Sequence, residues 1–163
     1  MDKNLDDNKK ILFSIIIPTY NRSSFILKTI DSFLNQSYPY FELIIVDDGS
    51  TDNTGDVIST IKDERVKYFC KENGERGAAR NFGAKQASGD YINYFDSADL
   101  AYPNHLELAY AVAIQLQQPM LFHVGYEMKN EKGELVYRHK PVKGIGNEKM
   151  LKVNYINPNP LFV

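Results

Sequence analysis

Two nearly continuous apolar runs constrain the fold of this 163-residue chain more than any other feature. They span Leu12 to Ile17 and Phe41 to Val46, lie about 30 residues apart, and have an amphipathic segment between them. Runs of this kind are typical of strands that are buried on both faces of a parallel sheet. The spacing therefore predicts a strand–helix–strand unit and an α/β fold, with a mostly parallel sheet flanked by helices.

The rest of the chain continues the alternation of strand-like and helical segments. Pro18 is expected to end the first strand, because proline lacks the backbone N–H that a sheet requires. Asn21, Ser23 or Ser24 is expected to cap a helix over residues 23–36. The other predicted strands are Val66–Cys70, Tyr91–Phe95 and Met120–Val124, and Tyr126–Lys129 is expected to form a hairpin with Leu135–Arg138. The other predicted helices are one after Thr54 that ends near Ile61, one at Gly77–Ala87, one from Pro103 to about Gln117, and a short one over 144–154.

The composition excludes several classes of protein. With a net charge of −2 the chain carries no basic footprint for nucleic acid, so no nucleic-acid partner is expected. Its three histidines and single cysteine cannot build a typical zinc site. No apolar run approaches the ~20 residues of a membrane-spanning helix, and the polar N-terminus does not resemble a signal peptide.

The predicted domain organisation is simple. Residues 1–10 are expected to form a mobile leader, and residues 11–163 a single domain. The chain stops within an apolar run, so this domain is expected to be truncated at its C-terminus. Of the histidines, His123 is expected in a strand or the core, and His105 and His139 at the surface.

Polar residues follow three of the predicted strands at the point where each strand ends. The segment Pro18-Thr19-Tyr20-Asn21 follows the first strand, Asp47-Asp48-Gly49-Ser50 the second, and Asp96-Ser97-Ala98-Asp99 the fourth. In an open parallel sheet, ligands bind in the crevice beyond the carboxyl ends of the strands. We therefore expect these segments to converge on one crevice and to supply it with carboxylates, an aromatic ring and backbone donors.

Each segment also has a simpler interpretation, and the residues alone leave both open. Asp47 and Asp48 either form a solvated turn that caps the next helix, or accept a hydrogen bond from the edge of a base. Asp96 and Asp99 either begin a helix, where the dipole favours a carboxylate, or hold Mg²⁺ or Mn²⁺ together with substrate phosphates. Tyr20 either packs at the sheet edge or stacks on a planar base.

Arg80 also has two interpretations. It is expected in the first turn of the helix that opens at Gly77, where backbone N–H groups favour anions. Its guanidinium either clamps a phosphate or a base edge, or pairs with a nearby carboxylate at the surface.

Taken together and in order, these segments resemble the family 2 inverting glycosyltransferases. The resemblance rests on residues 14–21, 42–52, 77–81, 87–92 and 95–99. It implies the GT-A fold, which is the Rossmann-like sheet of nucleotide-diphosphosugar transferases. It also implies a UDP-sugar donor, Mn²⁺ or Mg²⁺ as cofactor, and transfer with inversion to the hydroxyl of an unidentified sugar or glycan.

The resemblance implies a role for several residues. Thr19 and Tyr20 would line the uridine site, and Asp47 would accept from the uracil ring. Arg80 would lie near the base or the diphosphate, and Asp96 would begin the D-x-D motif near the ribose and the metal. The candidate substrate-binding residues are Pro18, Thr19, Tyr20, Asn21, Asp47, Asp48, Arg80 and Asp96, and the candidate metal ligands are Asp96 and Asp99.

The chain departs from the family pattern at Ala98, where the carboxylate expected to touch the metal most directly is missing. A methyl group has no lone pair, so metal and diphosphate affinity are expected to fall unless Asp99 reaches the ion. The alternatives are a rearranged site, an inactivated variant, or a nucleotide-binding module with little turnover. A sugar-nucleotidyltransferase is disfavoured, because the first strand does not lead into a glycine-rich phosphate loop.

The family's general base would lie further along than this chain extends. Glu127 and Glu148 do not occur in its expected context, so no catalytic residue is assigned. The resemblance implies a cytoplasmic location, or association with a membrane through parts outside this chain. A role in polysaccharide biosynthesis is common in the family.

Overall fold

The computed structural model describes residues 10–115, 122–123, 125–130, 132–139 and 161–162. The predicted helix over 144–154 and the predicted leader, apart from Lys10, lie outside these residues. In chain order, the strands and helices are β1 (Phe13–Thr19), α1 (Ile26–Leu34), β2 (Phe41–Asp47), α2 (Thr54–Ser59), β3 (Val66–Cys70), α3 (Glu75–Gln86), β4 (Tyr91–Tyr94), α4 (His105–Ala113), β5 (Phe122–His123), β6 (Tyr126–Lys129), β7 (Leu135–His139) and β8 (Leu161–Phe162).

Six of these strands form one sheet in the order β3-β2-β1-β4-β8-β5. β1 pairs in parallel with β2 and β4, and β2 pairs in parallel with β3. β8 runs antiparallel to β4 and β5, and β6 and β7 form a separate hairpin, as predicted. The predicted α/β fold with a mostly parallel sheet is therefore confirmed. Within the described residues, no helix combines the length and the apolarity that a membrane crossing needs.

Both faces of the central strands are buried, as their apolar runs predict. Every residue of β1 and β2 is buried. On one face, Ile15 and Ile17 belong to a cluster that includes Phe33 of α1. On the other face, Ile16 packs in a cluster with Ala79 of α3. Burial of one such isoleucine side chain contributes about 1.5–3 kcal/mol, so these strands are a main source of stability.

The small residues of α3 allow this helix to approach the sheet closely. A Cβ atom on Gly83 would lie 2.5 Å from Cγ2 of Ile16 and 3.1 Å from Cγ2 of Val46. A larger residue at this position would push the helix away from the sheet. The close contact at Gly83 therefore sets the distance between α3 and the sheet. It also sets the positions of the side chains that α3 presents at the edge of the sheet.

Pro18 does not end β1, contrary to the prediction. The strand continues to Thr19, and Pro18 pairs with Val46 in the register of β1 and β2. The carbonyl of Ile16 accepts a hydrogen bond from Phe95 N, so the backbone polar groups of Ile16 point towards β4. Pro18 lies two residues later in the strand, and its backbone nitrogen therefore points to the same side. The pairing of β1 with β4 has ended at Ile16, and the missing N–H of Pro18 therefore leaves no ladder bond unmade.

His105 is buried, although the sequence predicts it at the surface. It is 6% exposed, and its ring lies 5.9 Å from the rings of Phe33 and Phe95. Burial lowers the pKa of His105 to about 4, so the imidazole is neutral near pH 7. The prediction was wrong because His105, the first residue of α4, packs against the core together with the apolar residues of that helix.

A buried carboxylate ties together the amino-terminal edge of the sheet. Glu42 is 5% exposed and accepts hydrogen bonds from Ser14 Oγ at 2.6 Å, Ser88 N at 2.7 Å and Lys67 Nζ at 2.6 Å. Burial alone raises the pKa of Glu42, but these hydrogen bonds outweigh it and lower that pKa to about 2. Glu42 thus joins three strands and the turn before β4 at one point.

Candidate functional site

A cavity of about 520 Å³ opens at the carboxyl ends of β1, β2 and β4, the edge at which open parallel sheets bind ligands. This volume is typical of a small-molecule site. Six of the predicted site residues line the cavity, namely Pro18, Thr19, Tyr20, Asp48, Asp96 and Asp99. The other three, Asn21, Asp47 and Arg80, are not part of the lining.

The end of β1 supplies a buried hydroxyl and an exposed aromatic ring. Thr19 is 2% exposed, and within the described part of the chain its Oγ1 has no hydrogen-bond partner. Buried hydroxyls are nearly always paired, so Thr19 Oγ1 is a candidate hydrogen-bonding group for a ligand in the cavity. Tyr20 is 47% exposed, and its ring is available for stacking on a planar group in the cavity.

The carboxylate of Asp47 is taken up by the protein itself. Asp47 is 2% exposed, its Oδ1 accepts from Ser50 N at 2.8 Å, and its Oδ2 accepts from the Tyr68 hydroxyl at 2.8 Å. Burial and the hydrogen bond to Asp47 raise the pKa of Tyr68. Asp47 therefore shapes the turn after β2 and ties it to β3.

Asp48 lines the cavity with a carboxylate that is already anchored. Within the described residues, both hydrogen bonds to its side chain go to Oδ1, from Lys71 Nζ at 2.6 Å and from Gly74 N at 3.0 Å. The ion pair with Lys71 is largely buried, with side-chain exposures of 20% for Lys71 and 6% for Asp48. Oδ2 of Asp48 therefore keeps its capacity to accept a hydrogen bond from a ligand.

Asn21 holds the turn after β2. Its backbone is left-handed with φ of 50°, a conformation that asparagine tolerates better than most residues. Its Oδ1 accepts from Thr51 N at 2.8 Å and Asp52 N at 3.2 Å, and Ser23 Oγ donates to Asp52 Oδ2 at 2.9 Å. The predicted side-chain cap of α1 is therefore wrong. The helix follows Phe25 without one, because Asn21 and Ser23 bind the neighbouring turn.

The loop after β4 carries Asp96 to Asp99 and is anchored to α1. Thr29 Oγ1 donates to the carbonyl of Ser97 at 3.1 Å and to the carbonyl of Asp99 at 2.9 Å. Ala98 lies between these two residues and is exposed on the cavity wall. The backbone of this loop is therefore held by a buried threonine of the helix behind it.

Two arginines of α3 face Asp96. Arg80 Nη2 lies 2.8 Å from Asp96 Oδ1, and Arg76 Nη1 lies 3.9 Å from Asp96 Oδ2. The helix begins at Glu75 and not at Gly77, so Arg80 lies in its second turn and not in the first as predicted. The sequence reasoning missed Arg76. The available signal was its spacing of four residues from Arg80, which places both side chains on one face of a helix.

Asp96 and Asp99 are the candidate metal ligands of the cavity. In the described part of the chain, no three acidic, histidine or cysteine residues are grouped as a metal site. Asp96 and Asp99 nevertheless line the same cavity, and Ala98 between them has no ligating side-chain atom. Mg²⁺ and Mn²⁺ are commonly bound by one or two carboxylates, with substrate phosphates completing the shell, so this pair suits such an ion.

A second cavity of about 270 Å³ adjoins the first, and Asp99 lines both. Tyr102, His105 and Glu127 also line it. The Glu127 carboxylate accepts from Arg138 Nε at 2.6 Å and from the Tyr102 hydroxyl. The hydrogen bond from Tyr102, followed by that from Arg138, lowers the pKa of Glu127. Glu127 is therefore an engaged carboxylate and poorly suited to act as a general base.

Comparison with known proteins gives a consistent relationship. The family described as Glycosyl transferase family 2 matches residues 14–159. An uncharacterized glycosyltransferase of Rickettsia typhi is 37% identical over 140 residues, which cover 85% of this chain and 44% of the relative. The chain thus spans less than half the length of this relative.

Solved structures show the same likeness. TarS 1–349 of S. aureus superimposes with a TM-score of 0.68 at 30% identity, over 78% of this chain and 38% of that chain. TarS 1–349 in complex with UDP-GlcNAc gives 0.61 at 28% identity, over 73% and 40% of the two chains. The mannosyltransferase PcManGT of Pyrobaculum calidifontis, in complex with GDP-Man and Mn²⁺, gives 0.61 at 26%, over 77% and 37%. With the matched family spanning most of the sequence and a GT-A sheet shared with these neighbours, the chain belongs to glycosyl transferase family 2.

Proposed function

We propose that this chain is the donor-binding part of a glycosyltransferase, and that the larger cavity binds a UDP-sugar. One observation carries the proposal. Three recognition groups converge on this cavity, from Thr19, Tyr20 and Asp48. They are a buried hydroxyl with no partner within the described residues, an exposed aromatic ring and an anchored carboxylate. The choice of nucleotide is supported by the likeness to TarS in complex with UDP-GlcNAc.

In this proposal, the residues that follow β1 and β2 bind the uridine. Tyr20 stacks on the uracil ring, and Asp48 Oδ2 accepts a hydrogen bond from the ring N–H. A charge-assisted contact of this kind contributes about 1.5–3 kcal/mol. The resemblance implies Asp47 for this role, but both oxygens of Asp47 already accept hydrogen bonds from the protein, so the geometry favours Asp48.

The residues that follow β4 act on the diphosphate side of the cavity. Arg80 holds Asp96 in place through the ion pair of 2.8 Å. Asp96 and Asp99 would hold the divalent ion, Mn²⁺ or Mg²⁺. When bound, such an ion stabilises the negative charge that develops on the diphosphate leaving group.

The reaction that we propose for the whole protein is transfer with inversion at the anomeric carbon. The acceptor oxygen forms a bond to that carbon as the bond to the diphosphate breaks, and a general base takes the hydroxyl proton. Glu127 is poorly suited to this task, because Tyr102 and Arg138 already bind its carboxylate. We place the base outside the described residues.

A nucleotide-binding module with little turnover is the second candidate, and Ala98 is the observation that favours it. The residue lies on the cavity wall between Asp96 and Asp99 but offers no lone pair to a metal. A site with weak metal binding would retain the nucleotide contacts of Tyr20 and Asp48. It would lose part of the charge stabilisation that the transfer requires.

Calorimetric titration of the chain with UDP, GDP and UTP, each in EDTA and in Mn²⁺, separates these candidates. The glycosyltransferase proposal predicts that UDP binds most tightly of the three and that Mn²⁺ strengthens its binding. UDP binding that is indifferent to Mn²⁺ would favour the module. A preference for UTP, or no binding of any nucleotide, would contradict both.

A further inference from the structure

We infer that Arg76 is a diphosphate-binding residue, and that it allows a nucleoside diphosphate to bind in this cavity without a divalent ion. The inference rests on the proposed function and concerns how the cavity neutralises the negative charge of the diphosphate. It is drawn from the unequal environments of the two arginines that α3 presents to Asp96.

Arg80 and Arg76 differ in how firmly the protein holds them. The Arg80 side chain is 20% exposed and lies 2.8 Å from Asp96, so its guanidinium is committed to that carboxylate. The Arg76 side chain is 65% exposed and lies 3.9 Å from the same carboxylate, at the outer limit of an ion pair. Exposed ion pairs contribute little, so Arg76 can exchange this contact for a ligand phosphate at little cost.

Two carboxylates of the cavity are already paired with cations other than Arg76. Asp48 is paired with Lys71, and Asp96 is paired with Arg80. Neither carboxylate therefore requires the charge of Arg76 for its neutralisation. A guanidinium also presents a rigid fork of donors that matches the oxygens of a phosphate, which makes arginine well suited to this ligand.

Arg76 lies in the same cavity as Ala98, the position at which a metal ligand is missing. Both residues line the same cavity, together with Asp96 and Asp99. Where a third carboxylate at position 98 would attract a metal, the chain has a methyl group, while an exposed cation stands beside Asp96. The cavity therefore lacks one metal ligand at position 98 but carries a positive charge of its own, that of Arg76, beside Asp96.

Glu75 supplies a test of opposite sign within the same cavity. It precedes Arg76, lines the cavity, and has a left-handed backbone with φ of 71°. Its carboxylate repels a diphosphate by the same electrostatic rule that makes Arg76 attract it. The Glu75→Gln substitution is therefore expected to strengthen UDP binding, whereas Arg76→Gln is expected to weaken it.

The experiment is calorimetric titration of the whole chain in EDTA with uridine and with UDP, for the wild type and for Arg76→Gln. The wild type is expected to bind UDP about tenfold more tightly than uridine, which is the size of one charge-assisted contact. Arg76→Gln is expected to remove most of this difference and to leave the affinity for uridine unchanged. The control is Lys85→Gln, which removes the same charge from an exposed position on α3 and is expected to change neither affinity.

Each other outcome has a defined meaning. If the wild type binds UDP in EDTA and Arg76→Gln binds it equally well, the inference is overturned while the proposed function stands. If UDP binds only when Mn²⁺ is present, the inference is likewise overturned. If neither uridine nor UDP binds under any of these conditions, the proposed function fails, and the inference fails with it.

Discussion

Two buried carboxylates lie at opposite edges of the same sheet, and the contrast between them separates a structural acid from a candidate ligand-binding acid. At the amino-terminal edge, Glu42 accepts from Ser14, Ser88 and Lys67 through both of its oxygens. At the carboxyl-terminal edge, Asp48 also pairs with a lysine at 2.6 Å, but the described residues donate only to its Oδ1. Burial alone does not mark function. The informative feature of Asp48 is that it lines a cavity while its Oδ2 receives no hydrogen bond from the described residues.

Asp96 is a third acid to compare, because its carboxylate is neither fully occupied by hydrogen-bond donors nor deeply buried. Its side chain is 32% exposed, and its firm partner is Arg80. The ion pair between them is partly screened by water, so it orients Asp96 more than it stabilises the fold. The carboxyl-terminal edge therefore holds its acids in place, whereas the amino-terminal edge uses its acid to join strands.

The largest expected effect is on stability at the amino-terminal edge. Glu42→Ala leaves the buried hydroxyl of Ser14 and the backbone N–H of Ser88 without their acceptor, and should lower the free energy of unfolding by about 3 kcal/mol. The affinity of the folded protein for UDP should not change. Urea unfolding and calorimetry measure the two quantities. Asp31→Ala, at an exposed acid of α1, is the control and should alter stability by less than about 0.5 kcal/mol.

The contribution of Glu42 should also depend on pH in one direction. Its pKa is lowered to about 2 in the folded protein, below the value of about 4.3 in an unfolded chain. The stabilisation is therefore complete above pH ~4.3 and is lost as the pH falls towards 2. The difference in unfolding free energy between the wild type and Glu42→Gln should be constant from pH 7 to 5 and smaller at pH 3. A difference that grows as the pH falls would contradict this account of the edge.

At the other edge, Asp48→Asn should weaken UDP binding by about 2 kcal/mol, close to thirtyfold, because the charge-assisted contact with the base becomes a neutral one. The matched variant is Asp47→Asn, which alters an acid held by Ser50 and Tyr68. It should reduce stability more than UDP affinity. A larger loss of UDP affinity in Asp47→Asn than in Asp48→Asn would reverse the assignment of these adjacent residues.

The smallest expected effect is a gain. Ala98→Asp adds a carboxylate to the cavity wall beside Asp96 and should strengthen UDP binding in Mn²⁺ by about 1–2 kcal/mol. In EDTA the same substitution should give no gain, because the added charge repels the diphosphate. Titrations under both conditions distinguish a restored metal ligand from a general change in the cavity. A gain of equal size in EDTA would count against metal binding at this position.

The fold was predictable because its strongest determinants are local. The apolar runs from Leu12 and Phe41 correspond to strands that are buried along their whole length. The errors arose where tertiary contacts decide. Pro18 remains within β1 because its neighbour strand has already ended, and Asn21 binds a turn 30 residues away in place of capping a helix. His105 is buried because the core extends to the first residue of α4.

The candidate site was predictable as an edge of the sheet, but less so as a set of contacts. The approximate end of each strand is visible in the sequence, to within about two residues at β1, and this was enough to predict Thr19, Tyr20 and Asp96 at one cavity. The different surroundings of Asp47 and Asp48 were not visible, because they depend on donors from β3 and the loop after it. For adjacent acids, the direction of each side chain is set by partners that are distant in sequence.

A crystal structure of the chain grown with UDP tests the central claim most directly. The account predicts the nucleotide in the cavity at the carboxyl ends of β1, β2 and β4, with the uracil against Tyr20 and Asp48 and the phosphates towards Asp96. Nucleotide bound at any other surface, or bound in this cavity without contact to Asp48, would contradict it.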